Sequence, residues 1–237
     1  MWQPRVDPSH RLADRHAAGR LLAERLRSHE RDHPVVLGLP RGGVPIAYEI
    51  ARRLGAALDV LIVGKVAAPD NRECGLGAVV EGEPPFLDLD RIQRAGYDLE
   101  ELQPIVAAVS LEVERRAQFY HRQHARVPLA GRSVILVDDG VATGGTVLAS
   151  LGALRTAGVR HVTVALGVAP PGIVDTLRQT ADEVHALLTP AAFVAVGEWY
   201  EDFSPVSDDE VLRLLRASTT APTDRPYPLP PTPGGGV

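Results

Sequence analysis

The stretch that decides the fold is VILVDDGVATGGT, residues 134–146. It begins with four apolar residues, continues with two acids, and ends in small residues and threonines that lead into a helical pattern. This order predicts a buried strand over residues 134–137, a loop over 138–145 and a helix over 146–157. Ligands of open α/β sheets bind in the crevice outside the carboxyl ends of the strands. The stretch therefore predicts a parallel α/β sheet and also the place of its binding site.

The residue types in this loop suit a phosphorylated sugar. Glycines let the backbone approach an anion closely, the start of a helix adds partial positive charge, and Thr143 and Thr146 add hydroxyl donors. Asp138 and Asp139 would repel a phosphate, so they fit neighbouring ribose hydroxyls or a divalent cation. The loop lacks the Gly-Lys-Ser/Thr of a Walker A motif, and acids precede its glycines, which excludes a dinucleotide fingerprint. A plain turn before a helix is the alternative, but the complete string favours a phosphate site.

The sequence on either side repeats the same order of elements. An apolar run at 35–39 is followed by PRGG at 40–43, a helical pattern at 44–54 and a second apolar run at 58–63 that ends beside Lys65. Other periodic segments predict further elements. These are a helix from residue 14 to before Pro34, a helix at 99–124, a strand at 161–168, a helix at 170–180, a strand at 183–188, and a helix at 208–217 capped by Ser207 or Asp208. Apolar strands that alternate with helices indicate parallel α/β architecture.

Composition and charge limit the classes of protein to which the chain can belong. The 237 residues are 45% apolar and 23% charged, which allows a large core and argues against wholesale disorder. We expect one domain over residues 1–220 with an insertion at about 66–125, and a disordered Pro/Gly-rich tail at 221–237. The net charge of −5 argues against a general nucleic-acid binder. No membrane span or secretory signal is expected, and the single cysteine, Cys74, fits a cytoplasmic location.

The 134–146 string resembles the phosphoribosyl-pyrophosphate (PRPP) binding motif of type I phosphoribosyltransferases. Together with residues 39–44 and the late stretch AVGEWYEDF at 195–203, it is similar to a group of bacterial and archaeal predicted phosphoribosyltransferases. The likeness covers roughly residues 10–216. It implies a Rossmann-like parallel sheet flanked by helices, a small hood over the acceptor, and an inserted flap.

The resemblance also implies roles for single residues. Asp138 and Asp139 would hold the ribose 2′ and 3′ hydroxyls and, partly through PRPP, a Mg²⁺ ion. Arg41 and Lys65 would neutralise the leaving pyrophosphate, and these four residues are the expected catalytic set. The residues expected to bind PRPP are Pro40, Arg41, Gly42, Gly43, Lys65, Asp138, Asp139, Gly140, Val141, Ala142, Thr143, Gly144, Gly145 and Thr146. The alternatives are a plain strand-to-helix connection for the first loop and an ordinary solvated lysine for Lys65.

The acceptor is less defined. Enzymes that act on hypoxanthine and guanine carry a third acid where this chain has Ala142, so the pattern is closer to adenine or orotate enzymes. Glu73 and Glu81 are candidates for a general base in the segment 66–97, which is either a mobile flap or a structural excursion.

Aromatic, sulfur and imidazole side chains complete the candidate list. Trp199 and Tyr200 either stack on a heteroaromatic acceptor or pack the hood onto the body. Cys74 is interpreted as an ordinary cysteine. The eight histidines show no metal-ligand spacing and are predicted to be surface or core residues: His10, His16, His29, His33, His121, His124, His161 and His185.

Two functions remain open on these residues. The first is transfer of the 5-phosphoribosyl group from PRPP to a small nitrogenous acceptor such as a nucleobase, with Mg²⁺ and release of pyrophosphate. The second is a PRPP-sensing regulatory protein without catalysis, because fold alone does not fix function. A PRPP synthetase-like enzyme is disfavoured, since the sequence shows no ATP site and no second copy of the fold. Proteins that look like this one are commonly homodimers.

Overall fold

A five-stranded parallel sheet organises the chain. The computed structural model describes residues 11–71 and 74–219, so Glu73 and the predicted tail at 221–237 lie outside the described residues. The strands in chain order are β1 (Val35–Gly38), β2 (Ala57–Val60), β3 (Val63–Ala67), β4 (Gly75–Val80), β5 (Phe86–Leu87), β6 (Ser133–Gly140), β7 (His161–Val168) and β8 (Glu183–Leu188). The large sheet has the order β2-β1-β6-β7-β8, and β3-β4-β5 form a small antiparallel sheet.

Helices cover both faces of the large sheet. The helices of the described residues are α1 (Arg15–Arg25), α2 (Gly43–Leu54), α3 (Leu89–Ala95), α4 (Leu99–His121), α5 (Gly145–Thr156), α6 (Pro171–Arg178) and α7 (Asp208–Thr219), with 3-10 helices at Arg27–Asp32 and Val196–Trp199. Of these, α3 and α4 pack against the small sheet. Val36 belongs to a core shared with α1, α2 and α7, whereas its neighbours Val35 and Leu37 belong to the core shared with α5 and α6. Successive strand residues point to opposite faces. A strand with both faces covered must therefore be apolar throughout, as the sequence predicts.

Caps place the helix starts close to their predicted positions. Asp14 accepts a hydrogen bond from the Ala17 N–H at 2.6 Å, and Ser207 Oγ accepts one from the Glu210 N–H at 3.1 Å. Each bond satisfies a donor that the first helical turn leaves without a partner. Within the described ranges, every helix is too short or too polar to span a bilayer.

The apolar run at 58–63 is not one strand, and this prediction is wrong. The run is divided between β2, which ends at Val60, and β3, which begins at Val63 and pairs antiparallel with β4. Ile62 lies between them, fully buried, and its N–H donates to Glu81 Oε1 at 3.0 Å. Because both sheets bury this segment, no polar residue marks the division. Lys65 consequently lies in the middle of β3 rather than at the carboxyl end of a core strand.

Strand β6 is longer than predicted. It continues through Asp138 and Asp139 to Gly140, because β7 still pairs with it there, Asp138 opposite Leu166 and Gly140 opposite Val168. Both acids therefore sit on regular strand backbone, and the loop before α5 is reduced to residues 141–144. A rigid strand fixes the two carboxyl groups more firmly than a loop would.

Candidate active site

Two loops meet at the carboxyl edge of the parallel sheet. Gly38 of β1 is in register with Val137 of β6, so the chain leaves both strands at the same level. A Cβ atom on Gly43 would lie 2.4 Å from the Val137 carbonyl oxygen, and one on Gly42 would lie 1.9 Å from Asp139 Oδ2. Real Cβ atoms do not approach other atoms this closely, so glycine alone fits at both positions. The two glycines bring the PRGG loop directly against the paired acids.

The second loop opens onto the start of α5. Gly144 has φ of +80°, a left-handed conformation that glycine adopts at little cost, and it turns the chain into the helix. Ala142 and Thr143 are exposed, while Thr146 in the first turn is half-buried. The first N–H groups of a helix have no partner within it and attract anions. An anion can therefore approach the N-terminus of α5 beside the acids.

Asp138 and Asp139 have unusual electrostatics. The pKa of Asp138 lies well above its ordinary value, first because of burial and second because of the neighbouring Asp139 charge. Burial also raises the pKa of Asp139, against the opposing effect of the Arg15 guanidinium. A cation between the two carboxylates would relieve this cost. Adjacent carboxylate oxygens are also the ligands that hard divalent cations prefer, so the pair fits Mg²⁺.

Arg15 is a site residue that the sequence analysis missed. Its Nε donates to Asp139 Oδ2 at 2.8 Å, and its second donor reaches the Ser204 carbonyl oxygen at 2.9 Å. The guanidinium carbon lies 3.8 Å from the centre of the Phe203 ring. Arg15 and Asp139 are 124 positions apart in the chain, and no local motif marks the arginine. The only available signal was its place directly after the Asp14 cap, at the start of a helix.

Tyr200 and Trp199 take up positions against the body of the protein. Tyr200 is 2% exposed, and its hydroxyl donates to the Asp139 carbonyl oxygen at 2.6 Å. A Cβ atom on Gly167 of β7 would lie 1.9 Å from that hydroxyl, so the ring fits only over a glycine. Trp199 is half-buried against the same core, and its Nε1 is buried without a hydrogen-bond partner among the described residues. Of the two alternatives, the packing role describes Tyr200, whose buried ring supports the Asp139 backbone.

Lys65 lies in the small antiparallel sheet. It pairs with Ala78 of β4, and its Cε would lie 2.9 Å from a Cβ atom on Gly75. The aliphatic part of the lysine therefore lies over the start of β4. The same sheet packs against α5, the helix that follows the second loop.

Glu81, one of the two candidate bases, is engaged by several neighbours. Beyond the Ile62 N–H, its carboxylate lies 2.9 Å from His121 Nε2 and 3.8 Å from an Arg126 nitrogen. The hydrogen bond to Glu81 raises the pKa of His121. These groups line a cavity of about 440 Å³ between β4 and α4. Cys74 is half-buried beside this sheet, next to a small apolar cluster around Leu76.

The fold and the site are those of an α/β protein with a ligand crevice at the carboxyl edge of its sheet. Comparison with known proteins gives the family. The family described as "Phosphoribosyl transferase domain" matches residues 11–196. The chain therefore belongs to the phosphoribosyltransferase family, as the resemblance of residues 134–146 implied.

Individual relatives agree with this assignment. Two Mycobacterium tuberculosis proteins, from strains CDC 1551 and H37Rv, carry the name "Putative phosphoribosyl transferase" and are 42% identical over 202 residues. That match covers 85% of this chain and 46% of each relative, so the chain spans about half the length of these curated relatives. The crystal structure of the protein TT1426 from Thermus thermophilus has a TM-score of 0.75 and 45% identity, covering 86% of this chain and 97% of that one.

Proposed function

We propose that this protein binds PRPP at the carboxyl edge of its sheet and transfers the 5-phosphoribosyl group to a nitrogen acceptor, releasing pyrophosphate. The observation that carries the proposal is the contact between the PRGG loop and the end of β6, where Gly42 lies directly against the Asp139 carboxylate. The PRGG loop offers groups for an anion, the end of β6 offers acceptors for sugar hydroxyls, and both line the same crevice. A ligand that carries phosphate, ribose and pyrophosphate together fits this combination.

Each part of the crevice has a task in this reaction. The backbone of residues 141–146 and the Thr143 and Thr146 hydroxyls bind the 5′-phosphate, as in other anion sites at helix starts. Asp138 and Asp139 accept hydrogen bonds from the ribose hydroxyls, which fixes the sugar for attack at C1′. The exposed Arg41 binds the pyrophosphate through its guanidinium fork.

Charge stabilisation completes the proposal. Mg²⁺, held by PRPP oxygens and by Asp138 or Asp139, would supply positive charge that stabilises the departing pyrophosphate. Lys65 is proposed to add a further positive charge from β3. With positioning and electrostatics as the main contributions, the protein needs no covalent intermediate.

Two calorimetric titrations test PRPP binding on the full chain. PRPP with Mg²⁺ should bind the wild-type protein, and replacing both Asp138 and Asp139 by alanine should abolish the heat. Asp175→Ala is the matched control, because Asp175 is an exposed acid that pairs with Arg178 on α6. Equal binding by the wild type and the double variant would refute the assignment of the site.

An activity screen then separates a transferase from a sensor. The wild-type protein is incubated with PRPP, Mg²⁺ and a panel of purines, pyrimidines and other nitrogen nucleophiles, and pyrophosphate release is followed. Acceptor-dependent release that is lost in the double variant supports transfer. PRPP binding without release across the panel would instead support the regulatory alternative. Since residue 142 is alanine, we expect adenine-type or orotate-type acceptors to rank above hypoxanthine and guanine.

A further inference from the structure

A cluster of imidazoles surrounds one carboxylate at the opposite edge of the sheet from the active site. His161 is the first residue of β7, and Glu183 and His185 lie at the start of β8. His29 comes from the 3-10 helix that follows α1. Because parallel strands all begin at one edge, these residues lie at the amino edge, remote from the two loops. None of the groups assigned to the active site takes part in this cluster.

The ring nitrogens converge on the Glu183 carboxylate. His29 Nε2 and His185 Nε2 lie 3.3 Å and 3.2 Å from Glu183 Oε2, and His161 Nε2 lies 3.5 Å from Glu183 Oε1. His29, Glu183 and His185 each offer a ligand atom, and these three atoms lie within 4.8 Å of one another. Three potential ligand atoms are therefore within reach of one ion, while His161 lies beside the other oxygen of the same carboxylate.

The sheet register explains why the strand residues face the same side. Thr163 of β7 is directly opposite Glu183, and His161 and His185 are each two residues from this pair along their strands. Residues two apart share one face of a strand, so all three side chains project toward the face that carries α1. Thr163 itself is 1% exposed, and its Oγ1 has no hydrogen-bond partner among the described residues. This buried hydroxyl shares the strand face and the register of Glu183.

We propose that His29, Glu183 and His185 bind one divalent transition-metal ion, with Zn²⁺ as the ion that suits them best, and that His161 lies next to this site. Two imidazoles and a carboxylate are a ligand set that Zn²⁺ takes readily. With zinc–ligand bonds of about 2.0–2.1 Å, neighbouring ligands of a tetrahedral ion lie roughly 3.3 Å apart. The distances of 3.2 and 3.3 Å from the His185 and His29 nitrogens to the same Glu183 oxygen match that spacing.

The cluster is partly open to solvent, so a metal ion can reach it. His29 is buried, whereas the side chains of His161, Glu183 and His185 are 35%, 43% and 27% exposed, so the ion can enter from solvent. Asp182 Oδ2 lies 3.8 Å from His161 Nδ1, the ring nitrogen that points away from Glu183. Because its ligands come from the 3-10 helix after α1 and from β8, the ion would join these two elements.

Metal titration of the full-length protein tests the proposal. Protein stripped with a chelator should bind one Zn²⁺ per chain, measured by calorimetry in competition with a chelator of known affinity. At Zn²⁺ about a hundredfold above Kd, the Tm should rise by roughly 5–10 °C. His185→Gln combined with Glu183→Gln should weaken binding at least about 100-fold, and glutamine keeps the size and polarity of the strand surface. Circular dichroism confirms that the variant is folded.

Two controls locate the bound ion. His33→Asn removes a nearby histidine outside the cluster, and asparagine tolerates the left-handed φ of 45° at this position, so binding should stay at the wild-type level. Asp139→Asn should also bind Zn²⁺ as the wild type does, which excludes the active site. Co²⁺ in place of Zn²⁺ should give the visible absorption of a tetrahedral ion, and the double glutamine variant should lose it. Equal Zn²⁺ affinity in the wild type and that variant would overturn the proposal and leave a plain hydrogen-bonded cluster.

Discussion

Replacement of Arg15 by methionine would show how firmly α1 is attached to the active site. The Arg15–Asp139 ion pair is 2.8 Å long, and its side chains are only 10% and 13% exposed. Removing one partner of a buried pair costs about 3–5 kcal/mol, and the lost cation–π contact with Phe203 adds about 1 kcal/mol. Asp139 can take up a proton once its cation is gone, and methionine keeps part of the packing. We therefore expect the free energy of unfolding to fall by about 3 kcal/mol, and the Tm by roughly 6–12 °C.

The control for this variant is an ion pair of the same length at the surface. Arg53 Nε lies 2.9 Å from Glu24 Oε1, but the two side chains are 34% and 56% exposed. Exposed pairs contribute at most about 1 kcal/mol, so Arg53→Met should lower the stability far less than Arg15→Met. Urea unfolding and thermal melting measure both variants. Equal losses would refute the buried ion pair as a main support of α1.

Arg15→Met should also change the affinity for PRPP in a way that depends on pH. The Arg15 guanidinium opposes the burial effect on the pKa of Asp139, so its removal raises that pKa further. Because the ribose hydroxyls need an ionised acceptor, PRPP binding by Arg15→Met should weaken near neutral pH and recover as the pH rises. A double-mutant cycle of Arg15→Met and Asp139→Asn measures the interaction energy between the two residues. Additive effects in that cycle would contradict a direct coupling.

Three further changes probe the same crevice. Gly42→Ala places a methyl group 1.9 Å from Asp139 Oδ2, so PRPP affinity should fall at least about 100-fold by calorimetry, whereas Gly172→Ala, with nothing within 4 Å, should bind normally. Because the pKa of Asp138 is raised in the folded state, the folded protein keeps a proton that the unfolded chain releases. The free energy of unfolding of the wild type therefore falls as the pH rises from the ordinary pKa of an aspartate through the raised pKa of Asp138. The Tm of Asp138→Asn should therefore increase relative to the Tm of the wild type as the pH rises. A Tm difference between the two proteins that does not change with pH would contradict this. Tyr200→Phe loses the hydrogen bond to the Asp139 carbonyl and should cost about 1–2 kcal/mol in urea unfolding.

The sequence predicts those parts of the fold that short-range patterns determine. The strands at 161–168 and 183–188 agree with the structure at both ends, because turns and helix caps bound them on each side. The division of residues 58–63 between two sheets was not predicted, because the run is apolar apart from the buried Asp59 and nothing in it marks where one sheet ends. Propensity carries no information about which sheet a buried residue joins.

The same distinction applies to the two sites. The glycine loops could be found because close backbone approach demands glycine at fixed positions, whatever the rest of the chain does. Arg15 could not be found in this way, because its role depends on a contact with a strand that begins more than a hundred residues later. The histidines have no ligand spacing because His29, His161 and His185 come from three separate elements. Only the alternation of Glu183 and His185 along one strand gave a local hint that they share a face.

Helix α1 connects the two edges of the sheet. It begins with Arg15 at the carboxyl edge, and its eleven residues span about 16 Å before the 3-10 helix that carries His29 to the amino edge. Between these ends, the guanidinium of Arg25 donates to the Ala186 carbonyl oxygen of β8 at 2.8 Å. The helix is thus held at one end by Asp139 and at the other by the residues around Glu183. One continuous segment, α1 with the 3-10 helix that follows it, therefore supplies a contact to the active-site acids through Arg15 and a contact to Glu183 through His29.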